Sequence, residues 1–433
     1  MRQKILRWLG ILFFIGLITA GVFLFSQERQ VDILPVSGES VGLPPARGFF
    51  DNLAERYESL ASAGKEAERP TGVVPAENST SSTPRQKPLT NPAVVIKGLY
   101  LTGWTAGSSR LKQIISFARA RGLNGVVIDV KDYSGYLTYK TDLPEVAATG
   151  AEKELRVADI NSVIKQLHDN NLYAIARITV FQDPILAKAH PEWALQDKAK
   201  GGPWRDRKGL SWLDPAAEGV RAYHVALAKD ALNHGFDEVN FDYIRFPSDG
   251  VLTNIKYPFW DEKTPRREVM RGFFKYLREN MPGAKISADL FGLTTYASDD
   301  LGIGQTIEDA YPYFDFICPM VYPSHYSPGI LGFKNPAEHP YEVIKYSLEA
   351  AFTRFKNQTA FSSSASTTTP ASLPQMGKLR PWLQVFDLGA VYDREMINKQ
   401  IAATEEVLNS AESGAYGGWL LWDPKNIYKN FQP

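Results

Sequence analysis

Residues 237–247 read "DEVNFDYIRFP". Val239, Phe241 and Tyr243 alternate with Glu238, Asn240 and Asp242, the period of a β-strand. The strand carries Asp242 near its end, then Arg245 and Pro247. A buried charge is costly unless paired. Asp242 is therefore either half of a structural ion pair or a side chain delivered to a site, with Arg245 to hold it ionised and Pro247 to end the strand.

The chain around this stretch has a regular order. Upstream lie "AVVIKGLYLTGW", "NGVVIDV" and "YAIARITVF"; downstream lie "KISADLFG", "FICPMVY", "RPWLQVF" and "GGWLLW". Each is short and largely apolar, as strands covered on both faces are. Between them run segments with helical periodicity, such as "SRLKQIISFARARG" with Leu111, Ile114, Ile115 and Ala118 on one face. A last short helix is possible near "NIYKNF". Strand–helix alternation implies a parallel sheet. Eight such units predict an α/β fold of the (β/α)8 TIM-barrel type over residues 94–433. The rival, an open doubly wound sheet, wants a glycine-rich phosphate turn after its first strand. "TGWTAGSS" has glycines but no GxGxxG.

The start of the chain reads differently. Arg2, Lys4 and Arg7 precede an uncharged apolar run from Trp8 to Phe25. The run is long enough to span a hydrocarbon core, and "ITAGV" is a poor cleavage site. Residues 1–30 are expected to form a transmembrane signal anchor. Its preceding positive charges keep the N-terminus cytoplasmic and put the bulk of the chain outside, a single-pass cell-membrane protein with an extracytoplasmic catalytic domain. Residues 31–93, rich in Pro, Ser and Thr, are expected to be a flexible linker. Within it Phe50, Leu53, Tyr57 and Leu60 recur at helical spacing.

The 433 residues carry 48 basic and 48 acidic side chains, so no global field gathers nucleic acid. The one cysteine, Cys318, forbids an internal disulfide and reads as a core residue. Six histidines without HxH or HExxH point away from a zinc hydrolase barrel, and no metal or other cofactor is expected. Neither a Walker A nor a G-x-S-x-G pattern occurs.

Barrel active sites form at the C-terminal strand ends. Parity puts Asn240 and Asp242 inward on the fourth strand, and Ser287 and Asp289 inward on the fifth. Asp129 ends the second strand, Arg177 and Thr179 interrupt the third, and Tyr322 ends the sixth. The seventh offers Gln384 or Asp387, and the eighth ends in Trp422 and Asp423. Three carboxylates on one rim raise one another's pKa values unless cations intervene, and Arg177 and Arg245 are candidates. Paired carboxylates with split pKa values suit glycosidic cleavage, one donating a proton and one attacking or activating water. Neighbouring strands lie about 4.8 Å apart, a spacing that leans toward retaining geometry. Asp242 and Asp289 are the expected catalytic pair, with Asp129, Arg177, Arg245, Tyr322 and Trp422 around the substrate. The long loop 182–215 carries Trp193, Trp204 and Trp212. Trp204 and Trp212 are expected as sugar platforms, against the alternative that they close the barrel mouth as a small core.

The stretches "GVVIDVKDYSG", "HPEWAL", "WLDP" and "FDEVNFDYIRFP" resemble the glycoside hydrolase-like barrel domain of bacterial exported proteins. The resemblance covers about residues 94–430. It implies a (β/α)8 fold and hydrolysis of a polysaccharide or oligosaccharide, with Asp242 as catalytic candidate. The substrate is expected to be an envelope or extracellular polysaccharide. The proton donor of glycosidases is often a glutamate at a strand end; here the fifth strand offers Asp289. A non-catalytic glycan-binding barrel would keep the tryptophans without needing two carboxylates within reach of one bond. An envelope scaffold would have a closed mouth.

Overall fold

The computed structural model describes residues 82–364, 376–409 and 414–431. The expected anchor and most of the expected linker, including the helical spacing at Phe50–Leu60, lie outside the described residues. Among the described residues no helix is long and apolar enough to cross a membrane.

Eight parallel strands form the barrel: β1 Ile96–Leu101, β2 Gly125–Lys131, β3 Tyr173–Thr179, β4 Glu238–Asp242, β5 Ile286–Phe291, β6 Phe316–Met320, β7 Trp382–Gln384 and β8 Gly418–Trp422. Neighbours pair in sequence order; β8 pairs with β1, and Trp382 of β7 pairs with Met320 of β6, so the sheet closes. The helices that alternate with the strands are α1 Arg110–Ala120, α2 Ile160–His168, α3 Glu218–His234, α4 Arg266–Asn280, α5 Ile307–Ala310, α6 Pro340–Ser364 and α7 Arg394–Leu408; shorter helices, Gly103–Ala106, Pro144–Thr149 and Pro184–Ala189, lie in the loops. Instead of a helix after β8, residues 423–431 make turns. Tyr428 donates its hydroxyl to the Tyr100 carbonyl at 2.6 Å, and Arg121 reaches the Phe431 carbonyl at 3.0 Å.

Side-chain alternation divides the interior in two. Val126, Ile128, Val239, Phe241, Ile286 and Ala288 join the core shared with the helices. Ile96, Tyr100, Val127, Tyr173, Ile175, Cys318, Tyr322, Trp382 and Leu420 form a separate cluster inside the barrel. Burial pushes the Cys318 thiol up to about 12, as suits a packing residue.

Polar groups also enter the barrel. Glu238 and Arg380 form a fully buried ion pair, and Ser287 donates to Glu238 at 2.5 Å. Arg380 stacks 4.0 Å over the Phe316 ring. Removing one partner leaves an uncompensated buried charge. Arg380→Met is therefore expected to cost about 3–5 kcal/mol in urea unfolding, and adding Glu238→Gln should recover part of it.

Two sequence expectations change here. First, β4 stops at Asp242, not at Pro247. Tyr243 takes φ 52°, the left-handed region that bulky residues avoid, and this turns the chain four residues before the proline. Second, the segment assigned by composition to the linker is packed from Thr83 onward. Gln86 donates to the His234 carbonyl at 3.2 Å, and Leu89 donates to Asp237 at 2.6 Å while its side chain packs against the inner cluster. Gly235, at φ 108°, ends α3 where a Cβ would meet the Gln86 carbonyl at 2.6 Å. Polar composition does not prevent a segment from docking when its backbone groups find partners.

The loops after β3 and β4 are built as one unit. Gln196–Asp197 pairs antiparallel with Ile255–Lys256. Asp214 accepts the Phe259 and Trp260 amides at 2.7 and 3.0 Å, and the Trp204 indole donates to the Val251 carbonyl at 3.2 Å.

Candidate active site

Register places the polar rim. Asp129 lies opposite Arg177, and Thr179 opposite Asp242. Phe241 lies opposite Ala288, so Asp289 stands one step further along β5, level with Asp242. Inward parity sends all four charged side chains into one space.

Arg177 is the hub. It donates to Asp129 at 2.6 Å through Nη1 and to Asp242 through Nη2, and its Nε lies 3.8 Å from Asp289. Sharing one guanidinium keeps Asp242 and Asp289 inside the separation of about 10 Å that a two-carboxylate mechanism tolerates. All four side chains are at least nine-tenths buried. Burial alone would lower the pKa of Arg177; the charges of Asp129 and Asp242 outweigh it and hold the group cationic.

The carboxylates are held differently. Asp242 accepts from Arg177 and from the Tyr243 amide at 2.6 Å. Asp289 accepts on one oxygen from Asn240 and from the Trp382 indole, both at 2.8 Å. Burial first, and then the Asp242 charge, push Asp289 up to about 8. Asp129 is raised by burial, against the pull of Arg177, and accepts from the Tyr100 hydroxyl at 2.5 Å.

Aromatic rings frame the cluster. Trp422 stacks on Tyr100 at 4.0 Å, meets Trp382 edge-on at 5.5 Å and lies 5.1 Å from the Arg177 guanidinium. Trp422 is half-buried, whereas Tyr100 and Trp382 are closed off.

A protonatable carboxyl beside a second carboxylate, at the C-terminal rim of a barrel, is an arrangement able to cleave glycosides. Residues 98–428 match the family described as "putative glycosyl hydrolase domain". The chain belongs to that family. No curated protein matches it. Among solved structures, the chain is similar to a hypothetical protein from Ruminiclostridium thermocellum, with 37% identity, 47% of this chain and 98% of that chain covered, and a TM-score of 0.41. It is also similar to the glycoside hydrolase domain of PgaB (BpsB) from Bordetella bronchiseptica, with 13% identity, 77% and 96% covered, and a TM-score of 0.52. The glycoside hydrolase domain of PelA from Pseudomonas aeruginosa shows 10% identity, 78% and 99% covered, and a TM-score of 0.40. At these identities the PgaB domain shows a shared fold.

Within this glycosyl hydrolase-like domain, Asp129, Arg177, Asp242, Asp289 and Trp422 come together, and four other expected positions do not join them as foreseen. Arg177, not Arg245, makes the ion pair with Asp242. Arg245 lies 4.7–5.3 Å over the rings of Phe291, Trp212 and Tyr243 and donates to Ser248 at 3.1 Å. Trp204 and Trp212 are 1% and 0% exposed, so neither offers a face to a sugar. The Trp212 indole donates to Asp206 at 2.8 Å, and both rings join the core shared with the helices. Tyr322 is buried in the inner cluster against His325 and Phe386.

The two side chains expected from β7 bond elsewhere, whereas Trp382 and Tyr100, not foreseen, reach the carboxylates. Gln384 holds the turn at Ser324, and Asp387 accepts the Tyr392 amide at 2.7 Å. The β7 residue that reaches the cluster is Trp382. It shares the parity of Gln384, so alternation could have found it had polar side chains not been favoured. Tyr100 was likewise available by parity on β1.

Proposed function

We propose that this barrel hydrolyses glycosidic bonds, with Asp289 as the proton donor and Asp242 as the carboxylate that attacks or activates water. The observation that carries the reading is the pair itself. Two carboxyls share Arg177, and one of them, raised to about 8, keeps its proton at neutral pH. A buried carboxyl that favours its proton is suited to the acid role. Asn240 and Trp382 occupy one Asp289 oxygen, which leaves the other to carry the proton. Asp129 anchors Arg177, and the half-open Trp422 ring gives the sugar an apolar face.

The substrate we propose is an envelope or extracellular polysaccharide, reached by a domain held outside the cytoplasmic membrane. What supports this is the basic, then apolar, opening of the chain, Arg2 to Phe25.

Reducing-sugar release from a panel of bacterial envelope and secreted polysaccharides tests the reading. The pH profile is specific. The donor must be protonated, so activity is expected to fall about tenfold per pH unit above the apparent pKa near 8 of Asp289. A rate still climbing between pH 8 and 10 would remove Asp289 from the acid role. Glycan binding without release, unchanged in Asp242→Asn and Asp289→Asn, would make the barrel a binding module.

A further inference from the structure

A second cluster lies away from the carboxylate rim, at the C-terminal end of α3. Asp230 and His234 are four residues apart on that helix, so their side chains share a face. Asp142, from the segment between β2 and α2, meets them. One ligand atom from each lies within 4.8 Å of the others. No short motif marks this place, because the spacing on the helix is Asp-x-x-x-His and the third member comes from 88 residues upstream.

Acidic groups beside a histidine do not by themselves make a metal site. The imidazole supplies the second observation. His234 is 7% exposed, and its Nε2 is buried without a hydrogen-bond partner. Its tautomer follows from the network. Asn161 spends its amide on the Thr83 carbonyl at 2.8 Å, so its oxygen faces His234 Nδ1 at 2.7 Å and accepts. A proton therefore sits on Nδ1, and in the neutral imidazole Nε2 presents its lone pair 3.7 Å from Asp230 Oδ2. Two acceptors turned toward one another lack what would join them. An imidazole fixed through its far nitrogen is how proteins prepare a metal ligand. Tyr139 completes the support by donating to Asp230 at 2.9 Å.

We propose that Asp142, Asp230 and His234 bind a divalent first-row transition metal ion of the zinc type. One nitrogen and two carboxylate oxygens suit such an ion and leave a position for water, while imidazole disfavours magnesium and calcium. Ligand bonds of about 2.1 Å bring the donors within about 4 Å of one another, a shift of less than about 1 Å from their present places. Asp142 now pairs with Arg85, but both side chains are at least half exposed, and such pairs are weak. The ion would replace the Arg85 guanidinium. Because Thr83 and Gln86 dock on Asn161 and the end of α3, metal binding would act where the chain from the N-terminus joins the barrel.

The test is calorimetric titration of the chelator-stripped full chain with Zn²⁺, and with Mg²⁺ as the comparator. The expected result is one Zn²⁺ per chain and no Mg²⁺ binding. Asp142→Ala and His234→Gln should each weaken Zn²⁺ binding at least about tenfold. Arg85→Ala should strengthen it about two- to fivefold by removing the competing cation. Absence of saturable 1:1 binding, equal binding of Mg²⁺, or affinity unchanged in Asp142→Ala would overturn the site. The exposed Asp142 keeps the test decisive if His234→Gln fails to fold.

Discussion

Asp242→Asn is expected to lower glycan cleavage by at least about 10³-fold, and Asp289→Asn is expected to fail in a distinguishable way. In the proposed mechanism Asp242 either attacks the anomeric carbon or activates the water that does. An amide can do neither, whatever the leaving group. As the proposed donor, Asp289 would protonate the leaving oxygen, and a leaving group that needs no proton escapes that requirement. On whichever glycan the wild-type protein cleaves, both variants should lose most activity. On the matching aryl glycoside with a good leaving group, Asp289→Asn should keep activity within about tenfold of wild type while Asp242→Asn stays inactive. The pH profile should follow. Asp289→Asn acting on the aryl glycoside should lose the alkaline fall expected of the wild-type protein. Equal loss in both variants on both substrates would mean that the two carboxyls are not divided between these roles.

Arg177→Met is expected to destabilise the barrel by about 3–5 kcal/mol at pH 7, the largest effect on folding foreseen at the rim. Asp129, Asp242 and Asp289 all lie against this one guanidinium. Methionine fills similar volume but leaves the carboxylates to face one another in a buried space. The variant should therefore bind protons more readily than the wild-type protein does. Its folded state takes up protons that its unfolded state releases, so its stability rises as pH falls. The deficit relative to wild type should shrink between pH 7.5 and pH 5. Urea unfolding at the two pH values measures this, and an equal deficit at both would show that Arg177 acts through packing alone.

These expectations rest on a rim whose members were largely legible before the fold was known. Strand alternation is local, set by the geometry of each residue and its neighbour. It placed Asp129, Arg177, Asp242 and Asp289 inward from four separate stretches of sequence. It could not say which cation would meet which carboxylate. Arg245, three residues from Asp242, is the nearer cation in sequence, yet Tyr243 turns the chain at φ 52° and sends Arg245 onto the rings of Phe291, Trp212 and Tyr243. Arg177, 65 residues away, reaches Asp242 because β3 and β4 pair in the register that sets Thr179 beside Asp242.

The same limit applies to composition. Trp204 and Trp212 sit in a long polar loop, which invited a role at the surface. The loop folds against its neighbour after β4, and both indoles are buried in the core shared with the helices. Residues 83–89 look like linker, yet Asp159, Asp237 and the end of α3 pair with their backbone groups.

The sequence by itself determined the alternation of eight strands with helices, the inward face of the second, fourth and fifth strands and the carboxylates at the ends of those strands. Those features depend on residues within a few positions of one another. Only the tertiary structure decided the Arg177 hub, the pairing of Glu238 with Arg380 from 142 residues away, the Trp382 donor to Asp289 and the burial of the loop tryptophans. Each of these depends on strand register and barrel closure, which bring distant residues into hydrogen-bond range and which no local pattern encodes.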